Sequence, residues 1–323
     1  MLENYLDRFN AGDPLAASRL MSIVEKGGEG AEAVLDAIFP RVGRAYRIGI
    51  TGLTGAGKSS LINKLTSYYR GRDNTVGVIA VDPTSPFSGG ALLGDRIRMI
   101  DSQGDSGVFI RSIASRGSET GLSTCANELA DVLDAFGSEL IFLETLGVGQ
   151  IEYKVRYSVH TTLVVLVPEA GDDIQSLKSG LMEIGDIFVV NKADRKHADR
   201  FADDLRETLE MRHGEGTWCP RVIPTVATAG TGIEKLTEGI ADHRRFLEEK
   251  GGLEKKRIDS LRNRMMTIAE DKIRESFWGD PAVTGMVERE FEKVLTGAQS
   301  PYEAARTLVS ALSIRNKEDE RNG

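Results

Sequence analysis

The stretch Gly52-Leu53-Thr54-Gly55-Ala56-Gly57-Lys58-Ser59 constrains this chain more than any other. Gly52 and Gly57 frame a short turn that ends in Lys and Ser. The apolar run Ile48-Gly49-Ile50 leads into it, and Ser60-Leu61-Ile62-Asn63-Lys64-Leu65 follows with apolar residues at helical spacing. Strand, glycine turn and helix together are the context that gives a P-loop pattern its meaning. Glycines let successive N–H groups turn inward, and a helix N-terminus adds its positive dipole end. The backbone of Gly55, Ala56 and Gly57, continuing through Lys58, Ser59 and Ser60, is therefore expected to cradle phosphate. Lys58 would reach the β- and γ-phosphates, and the Ser59 hydroxyl would be offered to Mg²⁺.

The chain continues in the same idiom. Apolar runs at Arg47–Thr51, Val76–Val81, Val108–Arg111, Leu140–Glu144, Leu163–Val167, Ile187–Asn191 and Val222–Thr225 alternate with helical patterns. Most are continuous rather than alternating, which predicts strands buried on both faces in a mainly parallel sheet flanked by helices. Before them, Asp13-Pro14 starts a helix bearing Ala16, Leu20, Ile23 and Val24. A second helix carries Ala31, Val34, Leu35 and Ile38. Residues 1–44 are thus expected to be a helical appendage to an α/β domain over 45–250. Beyond Gly251-Gly252 the pattern is helical throughout, with apolar faces at Ile258, Leu261, Met265 and Ile268 and at Val283, Val287 and Phe291, and a capping box at Ser300–Glu303. Those faces need partners, either within their own domain or on a second copy, and 251–323 is expected to form a homodimer.

In such sheets ligands lie at the carboxyl ends of the strands, and the unusual residues fall there. Asn191-Lys192-Ala193-Asp194 fits the pattern N-K-x-D, in which a carboxylate accepts from the N1–H and the exocyclic amine of guanine. Thr228-Ala229 can touch the base from its other side or form a plain turn. Asp82 and Asp95 are candidates for a Mg²⁺ shell; otherwise they cap a turn and a helix. Glu144 ends an apolar strand at the Walker B position, Gly147 can give its N–H to a γ-phosphate, and Gln150 can orient water or be a solvated loop residue.

Composition narrows the class. A net charge of −8 argues against a general nucleic-acid surface. The start Met1-Leu2-Glu3-Asn4 is unlike a signal peptide, and runs such as Leu163–Val167 are too short to span a bilayer. With Cys125 and Cys219 isolated, a reducing, cytoplasmic setting is expected.

The segment Asp82-Pro83-Thr84-Ser85-Pro86-Phe87-Ser88-Gly89-Gly90-Ala91-Leu92-Leu93-Gly94-Asp95-Arg96 resembles a switch of the MeaB/ArgK family of P-loop GTPases. So do Phe109–Ser112 with Ser115–Gly117, Glu144–Gln150, Gly171–Gly180 and Asn191–Asp194. The resemblance covers nearly the whole chain. It implies a GTPase chaperone that gates cofactor loading of an adenosylcobalamin-dependent acyl-CoA mutase, typically methylmalonyl-CoA mutase, and protects that mutase. It implies Lys58, Ser59, Asp82, Asp95 and Glu144 as phosphate and Mg²⁺ residues, and Asn191, Lys192 and Asp194 as guanine readers. It also implies a part in activation for Lys178, in a third switch; Lys178 could swing in there as a cation, or be a solvated helix residue. Glu169 stands where that switch usually has Gly. A nickel-delivering maturation GTPase would carry clustered Cys and His, which this chain lacks. A small-molecule kinase is the other alternative, and would turn nucleotide over only with an added acceptor.

Overall fold

A computed structural model describes residues 2–82, 104–114, 125–145, 155–168, 181–211, 214 and 216–310. Seven strands form one sheet in the order β3-β2-β4-β1-β5-β6-β7, and every pairing is parallel. They are β1 (Tyr46–Gly52), β2 (Val76–Asp82), β3 (Val108–Ala114), β4 (Leu140–Glu144), β5 (Thr161–Leu166), β6 (Ile187–Asn191) and β7 (Arg221–Thr225). All of the expected runs became strands, within a residue or two at most ends.

The apolar runs are continuous because helices cover both faces. On one face, α4 (Lys58–Arg70) and the helix Ile233–Glu249 pack against Ile48, Ile50, Phe142, Leu163 and Val189. On the other, helices α1 (Leu2–Asn10), α2 (Pro14–Lys26) and α3 (Glu29–Ile38) join the helix Ala126–Phe136 over Ile79, Ile113, Ile141 and Leu143. The helix Ala198–Glu210 covers Val164, Phe188 and Val190 on that same side of the sheet's far end. Leu140 and Phe142 face one layer and Ile141 and Leu143 the other, as strand geometry requires.

Asp13 caps α2 as expected, its Oδ1 accepting from the Leu15 amide at 2.9 Å. The α1 helix was not anticipated. A buried carboxylate seats the chain's entry into the sheet: Asp134 accepts from the amides of Gly43, Arg44 and Ala45 at 2.8, 3.0 and 3.0 Å, and Arg47 pairs with Asp131 and Asp134. Two compact units make up the chain, Met1–Ile258 and Asp259–Gly323. The first therefore runs past Gly251 into the helix Gly252–Trp278, whose Lys256 donates to the His160 carbonyl at 2.6 Å. In the second unit the helix Pro281–Leu295 is capped by Asp280. Ser300 and Glu303 form the expected reciprocal capping box, with bonds of 2.9 and 3.2 Å.

Two histidines lie at the amino edge of the sheet. His160 Nδ1 accepts from the Arg47 amide at 2.9 Å, and His243 Nδ1 meets Thr161 Oγ1 at 2.9 Å with Asp186 at 3.4 Å from its other nitrogen. Burial, with Arg47, Lys256, Arg244 and Arg257 adding to it, pushes His160 down to about 3; burial, with Asp186 opposing and Lys256 reinforcing, pushes His243 down to about 4. Folded values below the unfolded one mean the unfolded chain takes up protons first as pH falls. Stability is then full above the unfolded value and declines below it. Each histidine should cost roughly 1–2 kcal/mol between pH 7 and pH 5. Urea unfolding at both values measures this, and unchanged stability would rule it out.

Candidate nucleotide-binding site

The P-loop leaves the carboxyl end of β1 and enters α4 at Lys58. Lys58 is buried, its ammonium donating to the carbonyls of Gly52 at 2.9 Å and Leu53 at 3.1 Å. Its charge is thus held over the loop that should meet phosphate. Ser59 Oγ donates to Glu144 Oε1 at 2.8 Å, and both residues are buried. The register explains the meeting: Ile50 pairs with Glu144, so β4 ends beside the start of the loop. A hydroxyl and a carboxylate at a helix N-terminus are the hard oxygens that Mg²⁺ takes, with phosphate and water completing the shell. Ser59 and Glu144 would suit such an ion.

Asn191, at the end of β6, occupies the middle of the site. Its Nδ2 donates to the Ala56 carbonyl at 2.7 Å, while its Oδ1 accepts from Thr225 Oγ1 and the Ala227 amide, both at 3.1 Å. One buried side chain thus ties the P-loop to the loops after β6 and β7. Gly57 is the residue this approach requires: at φ +91 it lies so close that an added β-carbon would overlap Asn191 Nδ2. Lys192, itself left-handed at φ 59, donates from Nζ to the Gly55 carbonyl at 2.9 Å.

Asp194 is exposed in the turn that follows. That turn is pinned where Ala193 donates to the Thr225 carbonyl and Arg195 to the Lys192 carbonyl, both at 3.0 Å. Thr228 and Ala229 are exposed in the neighbouring turn, which Val226 and Thr231 close. The Ala229 amide donates to the Val226 carbonyl at 3.0 Å. Ser60 lies in the first turn of α4. Asp82 is the last residue of β2, while Asp95, Gly147, Gln150 and Lys178 lie outside the described residues.

The site also uses residues that no motif marked. Thr51 and Thr145 join their hydroxyls at 2.9 Å in the core, locking the end of β1 to the residue after Glu144. Thr225 and Ala227 hold the Asn191 carbonyl oxygen. The signal for them is three-dimensional, since each lies far along the chain from its partner.

Comparison with known proteins fits this geometry. The family model described as methylmalonyl Co-A mutase-associated GTPase MeaB matches residues 17–282. A putative GTPase of Pyrococcus abyssi is 43% identical over 320 residues, covering 97% of each chain. The mouse protein named methylmalonic aciduria type A homolog, mitochondrial, is 32% identical over 275 residues, which is 84% of this chain and 66% of that one. The crystal structure of LAO/AO transport system kinase superposes with a TM-score of 0.73 at 25% identity, covering 97% of both chains.

Proposed function

Because the chain belongs to the MeaB family of methylmalonyl-CoA mutase-associated GTPases, we propose that it is a Mg²⁺-dependent GTPase chaperone. In this reading it hydrolyses GTP to GDP and phosphate, and uses the cycle to gate cofactor loading of an adenosylcobalamin-dependent acyl-CoA mutase. Methylmalonyl-CoA mutase is the client we propose first. The observation that supports this most is the Asn191 bond to the P-loop, because it holds a base-reading loop and a phosphate-binding loop in one fixed relation.

The roles follow from the atoms. P-loop N–H groups and the Lys58 ammonium take the phosphates, while Asp194 reads guanine through its paired donors. Ser59 and Glu144, with Asp82 and Asp95, hold Mg²⁺, which neutralises charge on the β- and γ-oxygens when bound. Gly147 senses the γ-phosphate and Gln150 orients water. Lys192 steadies the P-loop through Gly55, and Thr228 and Ala229 border the base.

Basal turnover is expected to be slow, with the client supplying what is missing by drawing Lys178 towards the transferring phosphoryl group. Lys178→Ala should keep GTP affinity while losing roughly tenfold or more of the stimulated rate. Turnover of both proteins with and without mutase and adenosylcobalamin tests this. Equal stimulation removes Lys178 from the mechanism, and no stimulation by any acyl-CoA mutase removes the chaperone reading.

We also propose a homodimer through the C-terminal helices. Leu261, Met265 and Ile268 are 39%, 63% and 43% exposed, and Phe291 is 54% exposed. An apolar stripe of that kind gains by burial against a second copy. Val283, expected on the same face, is already buried. A chain ended after Ile258 keeps Lys256 on the core and should scatter light as a monomer. A full-length protein that scatters as a monomer at micromolar concentration would refute the dimer.

A further inference from the structure

At the amino edge of the sheet lies a cavity of about 500 Å³. It opens beside Tyr46, the first residue of β1, whereas the P-loop follows the last residue of that strand. The length of a seven-residue strand, about 20 Å, therefore separates the two. Tyr69, at the far end of α4, and Leu140 and Ile240 complete an aromatic and apolar wall. Arg244 lies over the Tyr46 ring at 4.9 Å from its centroid and pairs with Glu248 at 2.8 Å.

Three polar groups lining this cavity have no hydrogen bond or ion pair among the described residues: the Tyr69 hydroxyl, the Ser138 hydroxyl and the Arg44 guanidinium. Two carboxylates also line it, and both are already engaged. Asp134 takes three backbone amides and Arg47, while Glu139 accepts from the Thr75 amide at 2.9 Å and from Asn74 Nδ2 at 3.3 Å. The groups left to a ligand are therefore a cation and two hydroxyl donors, with the half-buried Tyr69 ring beside them. Burial pushes the Tyr69 phenol up to about 12, so it stays a donor at neutral pH. A concave site with an apolar wall and a few convergent donors is the pattern of small-molecule recognition.

We propose that this cavity binds a small organic anion, a phosphate or carboxylate carried on a flat apolar body. The anionic group meets Arg44, Tyr69 and Ser138. The body lies against the half-buried Tyr69 ring, because Tyr46 is covered by His160 and Arg244 and, like Leu140 and Ile240, is buried. This second site is separate from the nucleotide site and uses none of its residues.

The test fills the P-loop first. The protein is loaded with GDP and Mg²⁺, loading is confirmed by nucleotide release on denaturation, and phenyl phosphate, benzoate, phenol and inorganic phosphate are titrated in turn while arginine and amide NMR shifts are followed. Phenyl phosphate or benzoate should saturate near ~1 mM, the range of a weak small-molecule site. Phenol and inorganic phosphate alone should bind more weakly. Whichever of the first two binds tighter identifies the anion as phosphate or carboxylate. Arg44→Ala should weaken that binding roughly tenfold, and Tyr69→Phe about threefold, the usual range for losing a charge-assisted and a neutral hydrogen bond. Basal GTP turnover of Arg44→Ala should be unchanged. No saturable response by about 10 mM, far weaker than the site should allow, would overturn the proposal. So would binding undiminished in Arg44→Ala, or shifts confined to the P-loop.

Discussion

Gly52→Ala is expected to lower the unfolding free energy by about 4 kcal/mol or more, the range reserved for core overpacking and backbone strain. Gly52 ends β1 at φ +131, a conformation that L side chains rarely adopt. A β-carbon there would overlap the carbonyl oxygen of Val165, its register partner on β5, and lie 2.9 Å from the Val165 nitrogen. These obstacles are all backbone, and β1 is paired on both sides, to β4 and to β5. No flexible side chain can give way. Gly57 differs, because its obstacle is the amide end of Asn191. Gly57→Ala should therefore cost less stability and disturb nucleotide binding more. Since Lys58 also hangs from the Gly52 carbonyl, Gly52→Ala should lose nucleotide affinity together with stability. Denaturant unfolding of both variants measures the difference, and a loss under about 1 kcal/mol for Gly52→Ala would contradict this account.

Asp194→Asn is expected to weaken GTP binding by roughly 2–4 kcal/mol while leaving the fold intact, as when a polar partner is stranded in a closed site. A carboxylate accepts from both guanine donors, whereas an amide turns one of its oxygens into a competing donor. The side chain is exposed, so the protein itself loses no packing. The turn that carries it is held by Thr225 and Lys192, so it cannot swing to find a new geometry. Xanthosine triphosphate, with a carbonyl where guanine carries its amine, should bind Asp194→Asn better than GTP does. Calorimetry with both nucleotides tests this. Equal GTP and ATP affinity in the unaltered protein would sink the base-reading role.

The sheet was legible because strands buried on both faces must be apolar at every position, and Leu140-Ile141-Phe142-Leu143 is such a run. Its carboxyl-edge motifs were legible because a P-loop needs glycines at fixed spacing. Helix α1 was missed although Leu2, Tyr5, Leu6 and Phe9 stand at helical spacing, because the pattern lasts only nine positions and buries Phe9 alone. The place of Asn191 was legible, but not all of its work. Tetrapeptide pattern reasoning assigns it to the base, while its three bonds reach Ala56, Thr225 and Ala227. Nothing local encodes a bond across 135 positions. The settings of His160 and His243 were not legible either. Their actual partners, Arg47, Thr161 and Asp186, come from three different stretches of chain, so spacing could not reveal them.

The Asn191 bridge bears on timing as well as on architecture. In the proposed function the loop that reads the base and the loop that holds the phosphates are joined by Asn191 and by the Lys192–Gly55 bond, so they should loosen together. Nucleotide should leave this protein in a single kinetic step, with one exponential and no half-released species. Any partner that speeds exchange would then need to pull on only one of the two loops, because the other must follow.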